Sequence, residues 1–325
     1  DSYQESSWLS LLTDRVLSSS QLLKPVGTFA SSIDIKELNQ AINVFDGVFG
    51  KESRKSNITV KRGSVTGAKV INPGPINVSE NVLIYSSGRG KWHPKRAFRE
   101  KEYDSRYGTY ILHPESPHNE WVFITVLDAF SASLSVEKKG LRKLLGDTYD
   151  KALYDFVINK AEHIVQLAGL DIKSVSKEAV ELHVLSLKTP NKIFHLPREG
   201  ANDYFIKNGQ VILFYKHRLR EIEGRLAPAE PVSDIWDDVL PNDLHKEGGV
   251  TLKKGKKPEK LLQRIFESAV TSGDTILDYF AGSGTSAAVA LKMGYRWINV
   301  EHGKYFDATT LIRLKNTLKG EQSGI

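Results

Sequence analysis

Asp274-Thr275-Ile276-Leu277-Asp278-Tyr279-Phe280-Ala281-Gly282-Ser283-Gly284-Thr285-Ser286 is the stretch whose reading decides the fold. Thr275, Ile276, Leu277 and Phe280 predict a strand covered on both faces. Gly282 and Gly284 let the backbone bend tightly and approach a ligand that a Cβ would block. Ser286 to Met293 then predicts an Ala-rich helix, with Gly294 where a helix C-terminus is closed. Strand, glycine turn and helix N-terminus together make a site for a nucleoside-bearing ligand at the carboxyl edge of a parallel sheet. A second strand, Trp297-Ile298-Asn299-Val300, ends at Glu301, nineteen residues after Gly282. A carboxylate at that spacing is placed to hold ribose hydroxyls.

The turn alone leaves three readings open. Gly282-Ser283-Gly284-Thr285-Ser286-Ala287 fits the dinucleotide pattern G-x-G-x-x-A. Another adenine nucleoside fits as well, and so does a tight turn that binds nothing. Asp278 and Glu301 at the two strand ends favour a ligand.

The chain has 325 residues, 40% hydrophobic and 26% charged, which is ordinary for a soluble globular protein with room for two cores. A net charge of +6 and a pI near 9.1 fit a polyanionic partner. There is no Cys, so disulfides and thiolate metal sites are excluded, and a cytoplasmic setting is expected. The nine His show no H-E-x-x-H or similar spacing, and no metal is expected. No apolar run reaches the roughly 18 residues of a membrane helix. Met293 is the one Met, so the sequence beginning at Asp1 is expected to be incomplete at its N-terminus.

Along the chain, Ser7 to Lys24 predicts an amphipathic helix and Thr28 to Ile33 a short strand. Asp34 with Glu37 reads as a capping box for a helix over Ile35 to Phe45, broken by Gly47 to Gly50. Asn57–Val60 and Asn81–Tyr85 read as strands, with a mobile loop, Gly63 to Pro75, between them. From Gly88 the character changes. Gly88 to Arg106 carries Arg89, Lys91, Lys95, Arg96, Arg99, Lys101 and Arg106, with Trp92, Phe98 and Tyr103 interleaved and Tyr107 and Tyr110 just after. Cations among aromatics suit a phosphate backbone with exposed bases. Leu141–Leu145, Lys151–Leu167 and Lys177–Leu187 read as helices, and Asn202–Tyr215 as a strand pair turned at Asn208-Gly209. Leu226 to Pro231 reads as a linker. The expected division is 1–87, an α+β insertion over 88–230, and 231–325. Gly249 to Lys256 imitates a phosphate loop, but five residues separate its glycines and Lys257 replaces the required Ser or Thr.

Three runs carry a resemblance: Lys256-Lys257-Pro258-Glu259-Lys260-Leu261-Leu262, then Asp278 to Thr285, then Arg296-Trp297-Ile298-Asn299-Val300-Glu301. Together they resemble the cofactor half of a β-class methyltransferase acting on DNA adenine N6. Glu247-Gly248-Gly249-Val250, Trp92-His93-Pro94 and Arg99 to Tyr107 resemble, more narrowly, the modification (Mod) subunit of type III restriction–modification systems.

The resemblance implies a Rossmann-like mixed sheet with helices on both faces, interrupted by a target recognition domain. It implies S-adenosylmethionine as cofactor, held by Lys257, Pro258, Asp278, Phe280, Ala281, Gly282, Gly284, Thr285 and Glu301. Asp278 and Phe280 would line its methionine and adenosine ends, Glu301 its ribose, and Lys257, Pro258 and Thr285 its methionine end. Arg89, Lys91, Lys95, Arg96, Arg99 and Arg106 would contact double-stranded DNA. A homodimer and a restriction (helicase/nuclease) subunit are the implied partners. One departure stands out. The family's catalytic D-P-P-Y tetrapeptide is absent, and by family order it would fall just before Asp1, so no catalytic residue is assigned. A DNA-specificity subunit without methyl transfer and an NAD-dependent oxidoreductase are the rival readings.

Overall fold

Leu83 and Tyr85 point to one side of a single strand, Val82 and Ile84 to the other, and all four are buried. That strand is the spine of one of two compact units in the computed structural model, which describes residues 4–65, 71, 73–222, 224–252 and 255–325. The first unit joins 1–97 to 232–325, and the second is 98–231.

In the first unit, α1 (Gln4–Ser20), β1 (Thr28–Ile33), α2 (Leu38–Phe49), β2 (Arg54–Lys61) and β3 (Ser79–Ser86) follow one another. β3 lies between β1 and β2, antiparallel to both. α1 and α2 cover one face through Leu12, Val16, Ala41, Phe45 and Phe49, which close on Phe29, Leu83 and Tyr85. Phe45 meets Phe29 and Tyr85 edge-on at 4.9 and 5.7 Å, the geometry that aligns ring edge with ring face. The expected capping box does not form. Asp34 instead accepts the amide of Lys36 at 3.2 Å in a turn, and the helix starts at Leu38. It also runs through Gly47, stopping only at Gly50, whose φ of 84° no β-carbon residue adopts cheaply. Part of the expected Gly63–Pro75 loop, residues 66–70 and 72, lies outside the described residues.

The second unit contains β4 (Phe98–Glu100), β5 (Thr109–Ile111), β6 (Phe123–Thr125), α3 (Val126–Ser133), α4 (Leu141–Leu145), α5 (Tyr149–Asn159), β7 (Ile164–Gly169), α6 (Lys177–Lys188), β8 (Ile193–Leu196), β9 (Tyr204–Lys207), β10 (Gln210–Phe214), β11 (Leu219–Ile222) and β12 (Arg225–Pro231). Six strands form an antiparallel sheet in the order β6-β5-β7-β10-β9-β8, and β11-β12-β4 forms a second. The predicted hairpin is present, with Asn208 and Gly209 at φ 50° and 74° in its turn. Two expectations are corrected. The helix predicted over Lys151–Leu167 ends at Asn159, because Ile164 and Val165 are β-branched, fully buried and paired with β5 and β10. Leu226–Pro231 is no linker but part of β12, where the Pro228 carbonyl accepts the Lys101 amide at 2.9 Å. The unit also begins at Phe98 rather than at 88. Residues 88–97 belong to the first unit, where Trp92 Nε1 donates to Thr28 at 3.0 Å and the Lys95 amide to the Ser268 carbonyl at 2.9 Å.

The chain then returns to the first unit with β13 (Ile235–Trp236), α7 (Glu259–Ala269), β14 (Thr275–Asp278), α8 (Thr285–Lys292), β15 (Arg296–Asn299) and α9 (Leu311–Leu318). β13 adds to β2 in parallel, and β14 pairs β15 in parallel. Leu261, Ile265 and Phe266 of α7 and Val289 and Ala290 of α8 cover the second face of the sheet, against Ile58, Val60, Val82 and Ile84. The architecture is therefore α/β, a mixed sheet with helices on both faces. β14 is only half-buried and ends at Asp278, leaving Phe280 53% exposed in the turn rather than inside a strand. No helix among the described residues is long and apolar enough to cross a membrane.

Lys24, just after α1, pairs with Asp274, just before β14. This bond and those from Thr271 hold the Asp274 carboxyl down at about 2. A depressed acid stabilises the fold above its unfolded value and loses that contribution as pH falls through the folded one. The stability gap between the parent protein and Asp274→Asn should therefore close as pH drops from about 4 to about 2, measured by urea unfolding.

Candidate functional site

The glycine turn is built by its neighbours' hydrogen bonds. The Val300 amide donates to the Asp278 carbonyl at 2.8 Å and the Ala281 amide to the Val300 carbonyl at 3.1 Å, which carries the β14–β15 pairing past the strand ends. Gly282 and Gly284 both take left-handed φ, 56° and 77°. A Cβ on Gly284 would stand 3.1 Å from Thr310 Cγ2, so this glycine is required by packing as well as by φ. At Gly282 the nearest atom to such a Cβ is 3.8 Å away, so its approach stays open.

Two carboxylates flank the turn. Asp278 accepts the Phe280 amide at 3.0 Å and the Ser286 hydroxyl at 2.5 Å. Glu301 accepts the Gly282 amide through Oε2 at 2.7 Å and the Gly303 amide through Oε1 at 2.5 Å. With the Tyr305 hydroxyl also bonded to Glu301, its carboxylate keeps one further acceptor site. Burial and the neighbouring Glu301 push the Tyr305 hydroxyl upward. Phe280 packs edge-on against Tyr279, 5.0 Å between centroids, while the Tyr279 hydroxyl turns back to Ser19 at 3.3 Å. Phe280, Ile298 and Val300 are more than half exposed, an apolar surface beside the open side of the turn.

Behind the turn lies a buried charge network that sequence reading missed. Arg313, on α9, is fully buried. Its guanidinium donates to Glu259 at 2.7 Å, to Thr285 at 2.9 Å and to Ser283 at 3.3 Å. Glu259, also fully buried, accepts Lys292 at 2.8 Å. Glu247 caps α7 from a distance: its two oxygens accept the Glu259 amide at 3.1 Å, an anion at a helix N-terminus. Burial raises the Glu247 carboxyl and lowers the Lys256 ammonium. Lys256 is coordinated by the carbonyls of Glu247 and Val250 at 2.6 Å each and of His245 at 3.2 Å. Gly248 (φ 69°) passes so close to Arg313 that a Cβ there would meet Nε at 2.6 Å. The run at 247–249, the run at 256–262, the glycine turn and α9 are thus locked into one body. One signal pointed to it: Glu259 shares a helical face with Leu262 and Phe266, three and seven residues on, where an acid has no business without a partner.

The residues expected to hold a ligand divide accordingly. Asp278, Phe280, Gly282 and Glu301 surround the turn's open side. Ala281, Gly284, Thr285 and Pro258 are buried behind it, and the Thr285 hydroxyl contacts the Lys257 carbonyl and Arg313. The Lys257 ammonium pairs with Glu80 of β3. Among the expected DNA contacts, Arg89 bonds the carbonyls of Ser20 and Leu23 at the end of α1. Arg99 forks onto Glu230 and Arg106 onto Asp104. Lys95 donates to the Val270 carbonyl at 3.3 Å. Lys91 and Arg96 are exposed and form no ion pair among the described residues.

Replacing Arg313 with Met would leave Glu259 buried beside fewer cations, and breaking such a pair costs about 3–5 kcal/mol. A loss of that size in urea unfolding is expected. A loss below roughly 1 kcal/mol, the range of an exposed pair, would show the network to be solvated.

A family model for DNA methylases, N6_N4_Mtase, matches residues 1–310 of the 325. The chain is 27% identical over 349 aligned positions to a Haemophilus influenzae protein described as a "probable type III restriction-modification enzyme HindVI Mod subunit". That alignment takes in all of this chain but 46% of the relative, so the chain spans about half that protein's length. It is 24% identical over 225 positions to the type II methyltransferase M2.DpnII of Streptococcus pneumoniae, covering 69% of this chain and 70% of that one. Among solved structures it is similar to the M1.HpyAVI–SAM complex (TM-score 0.39, 10% identity, 93% of this chain and 82% of that one). It is also similar to the cytosine-N4-specific PvuII DNA methyltransferase (TM-score 0.42, 11% identity, 95% and 71%). With the family match running from the first helix through the glycine turn, the chain belongs to the N6_N4_Mtase family of DNA methylases.

Proposed function

We propose that this chain carries the cofactor half and the DNA-reading insertion of an S-adenosylmethionine-dependent DNA methyltransferase. We assign its target as adenine N6 and its setting as the modification subunit of a type III restriction–modification system. The observation that carries this is the alignment over the whole chain to the Haemophilus Mod protein, joined to a glycine turn flanked by Asp278 and Glu301. A sulfonium cofactor is a cation with an adenosine, and it needs carboxylates and an apolar ring face rather than a diphosphate cradle. The turn offers those: two carboxylates with acceptor capacity left, an exposed Phe280, and an open approach at Gly282. Asp278 and Phe280 would line the cofactor's two ends and Glu301 its ribose. Gly282 and Ala281 would give backbone access. Gly284, Thr285, Pro258 and Lys257 would shape the methionine end from behind. The bound sulfonium would supply the methyl group. The NAD-dependent reading is not favoured, because the family model that matches residues 1–310 is one of DNA methylases.

Double-stranded DNA is the proposed substrate, with residues 98–231 as the recognition domain. A second copy and a restriction subunit are the proposed partners. The adenine would leave the duplex to reach the methyl group. The rival reading, a specificity subunit without methyl transfer, rests on the absence of a D-P-P-Y run from residues 1–325. An in-frame D-P-P-Y in the codons before Asp1 would eliminate it.

Phe280→Ala should weaken S-adenosylmethionine binding about tenfold, the loss of roughly one ring contact, in calorimetric titration. The ring is mostly exposed, so the fold should survive. Unchanged affinity would place the cofactor elsewhere. Of the six cations expected to contact DNA, Lys91 and Arg96 form no ion pair among the described residues. Replacing both with Ala should flatten the slope of log K against log salt by roughly 1.8, two phosphates' worth. An unaltered slope would make the strip ordinary solvated surface.

A further inference from the structure

Two adjoining cavities, about 560 and 520 Å³, open in the 98–231 unit. They share Ala201, Asn202, Asp203, Phe214 and His217, and no residue of the glycine turn lines either. The wall of the larger is an aromatic triangle. Trp121 lies 5.0 Å from Phe205 and 5.7 Å from Phe214, and Phe205 lies 6.0 Å from Phe214. The three sit on the same small core, packed against Ile111, Val165, Ile193 and Ile212. Their orientation is fixed from behind: the Trp121 indole donates to the Ser116 carbonyl at 2.9 Å, and His195 stacks on Phe205 at 4.5 Å and 7°. Half-buried ring surface held in place with a cavity in front of it is a recognition surface rather than leftover core.

The polar groups at its edge narrow the ligand. His163 is stacked on Tyr110 at 4.8 Å, and its Nδ1 lies 2.9 Å from the Ile111 carbonyl. A carbonyl only accepts, so Nδ1 carries a proton, and in the neutral ring Nε2 is left as an acceptor. Asn202 adds an exposed amide that both donates and accepts. Three carboxylates line the larger cavity, Glu115, Glu162 and Asp203, against one ammonium, Lys216, while Arg198 and Arg218 line the adjoining one. That balance keeps a phosphate or another anion out of the larger cavity. A neutral, flat ring with apolar faces and a hydrogen-bonding edge satisfies all of these groups together.

We propose that this cavity binds one unpaired nucleobase of the DNA, distinct from the base that receives the methyl group. The ring stacks among Trp121, Phe205 and Phe214, and its edge is read by His163 and Asn202. The acidic rim leaves the phosphates outside. The assignment rests on the DNA substrate proposed above, but the pocket's chemistry can be read independently of it.

Saturation-transfer NMR on the full chain, with S-adenosylmethionine at saturation, would test it using the four deoxynucleosides and ribose 5-phosphate as probes. Transfer to at least one base's ring protons and none to ribose 5-phosphate is expected. Phe205→Ala should weaken that nucleoside about tenfold, the loss of one stacking partner. Asn202→Ala, an exposed position that leaves the core intact, should change which base binds best. A single-stranded oligonucleotide carrying 2-aminopurine should lose emission on binding, and the Phe205 variant should restore it. Equal transfer to ribose 5-phosphate, or transfer untouched by both variants, overturns the proposal. So does the absence of any nucleoside signal while S-adenosylmethionine still binds. Failure of S-adenosylmethionine to bind, with nucleoside transfer intact, would instead remove the methyltransferase reading and leave the base pocket standing. Free nucleoside binding without any 2-aminopurine quenching would assign the pocket to a soluble nucleoside and overturn the DNA-base form of the proposal.

Discussion

A guanidinium and a carboxylate, Arg313 and Glu259, meet at 2.7 Å with neither exposed to solvent. An isolated charge in that position would cost several kcal/mol, so each must find the other and further partners. Those further bonds organise the region. The guanidinium also reaches Thr285 and Ser283, fixing the first turn of α8 and the glycine loop before it. Glu259 also holds Lys292 at the far end of α8. Glu247 caps α7, and Lys256 is gripped by three carbonyls of the 245–250 run. Four segments distant in sequence thereby take one arrangement. The open side of the turn, with Asp278, Phe280 and Glu301, inherits its geometry from this buried side.

The sheet beneath works by a different rule. β3 is apolar on both faces, so it needs helices on both, and the two cores divide its side chains alternately. α1 and α2 take Leu83 and Tyr85, while α7 and α8 take Val82 and Ile84. The helices that cover the second face are the ones that carry the charge network and the glycine turn. Covering the strand and positioning the turn are consequently one act of packing. The 98–231 unit owes nothing to this pattern. Its strands pair antiparallel and close several small aromatic cores.

The basic strip shows how charge counted along a chain differs from charge available at a surface. Arg89, Lys95, Arg99 and Arg106 are engaged by helix-end carbonyls or by acids two to 131 residues away. Only some of the cations in a run are left over for a polyanion, and a run cannot say which.

Local and periodic features were legible in the sequence. β1 spans Thr28–Ile33 as expected, the Asn208-Gly209 turn closes β9 onto β10, and the strand, glycine turn and helix at 275–292 follow from φ preference and side-chain shape. These are set by neighbours within a few residues, which the sequence displays directly. Tertiary contact decided the rest. Ile164–Gly169 became a strand because partners on β5 and β10 outbid a helical pattern, and Pro-containing 225–231 became a strand because β11 and β4 lie on either side. Phe280 left its predicted strand for the open turn. Arg313 reads in sequence as one more cation on an amphipathic helix. Its role comes from an acid 54 residues earlier, and burial, which turns a weak surface attraction into an obligatory pairing, exists only once the chain has folded.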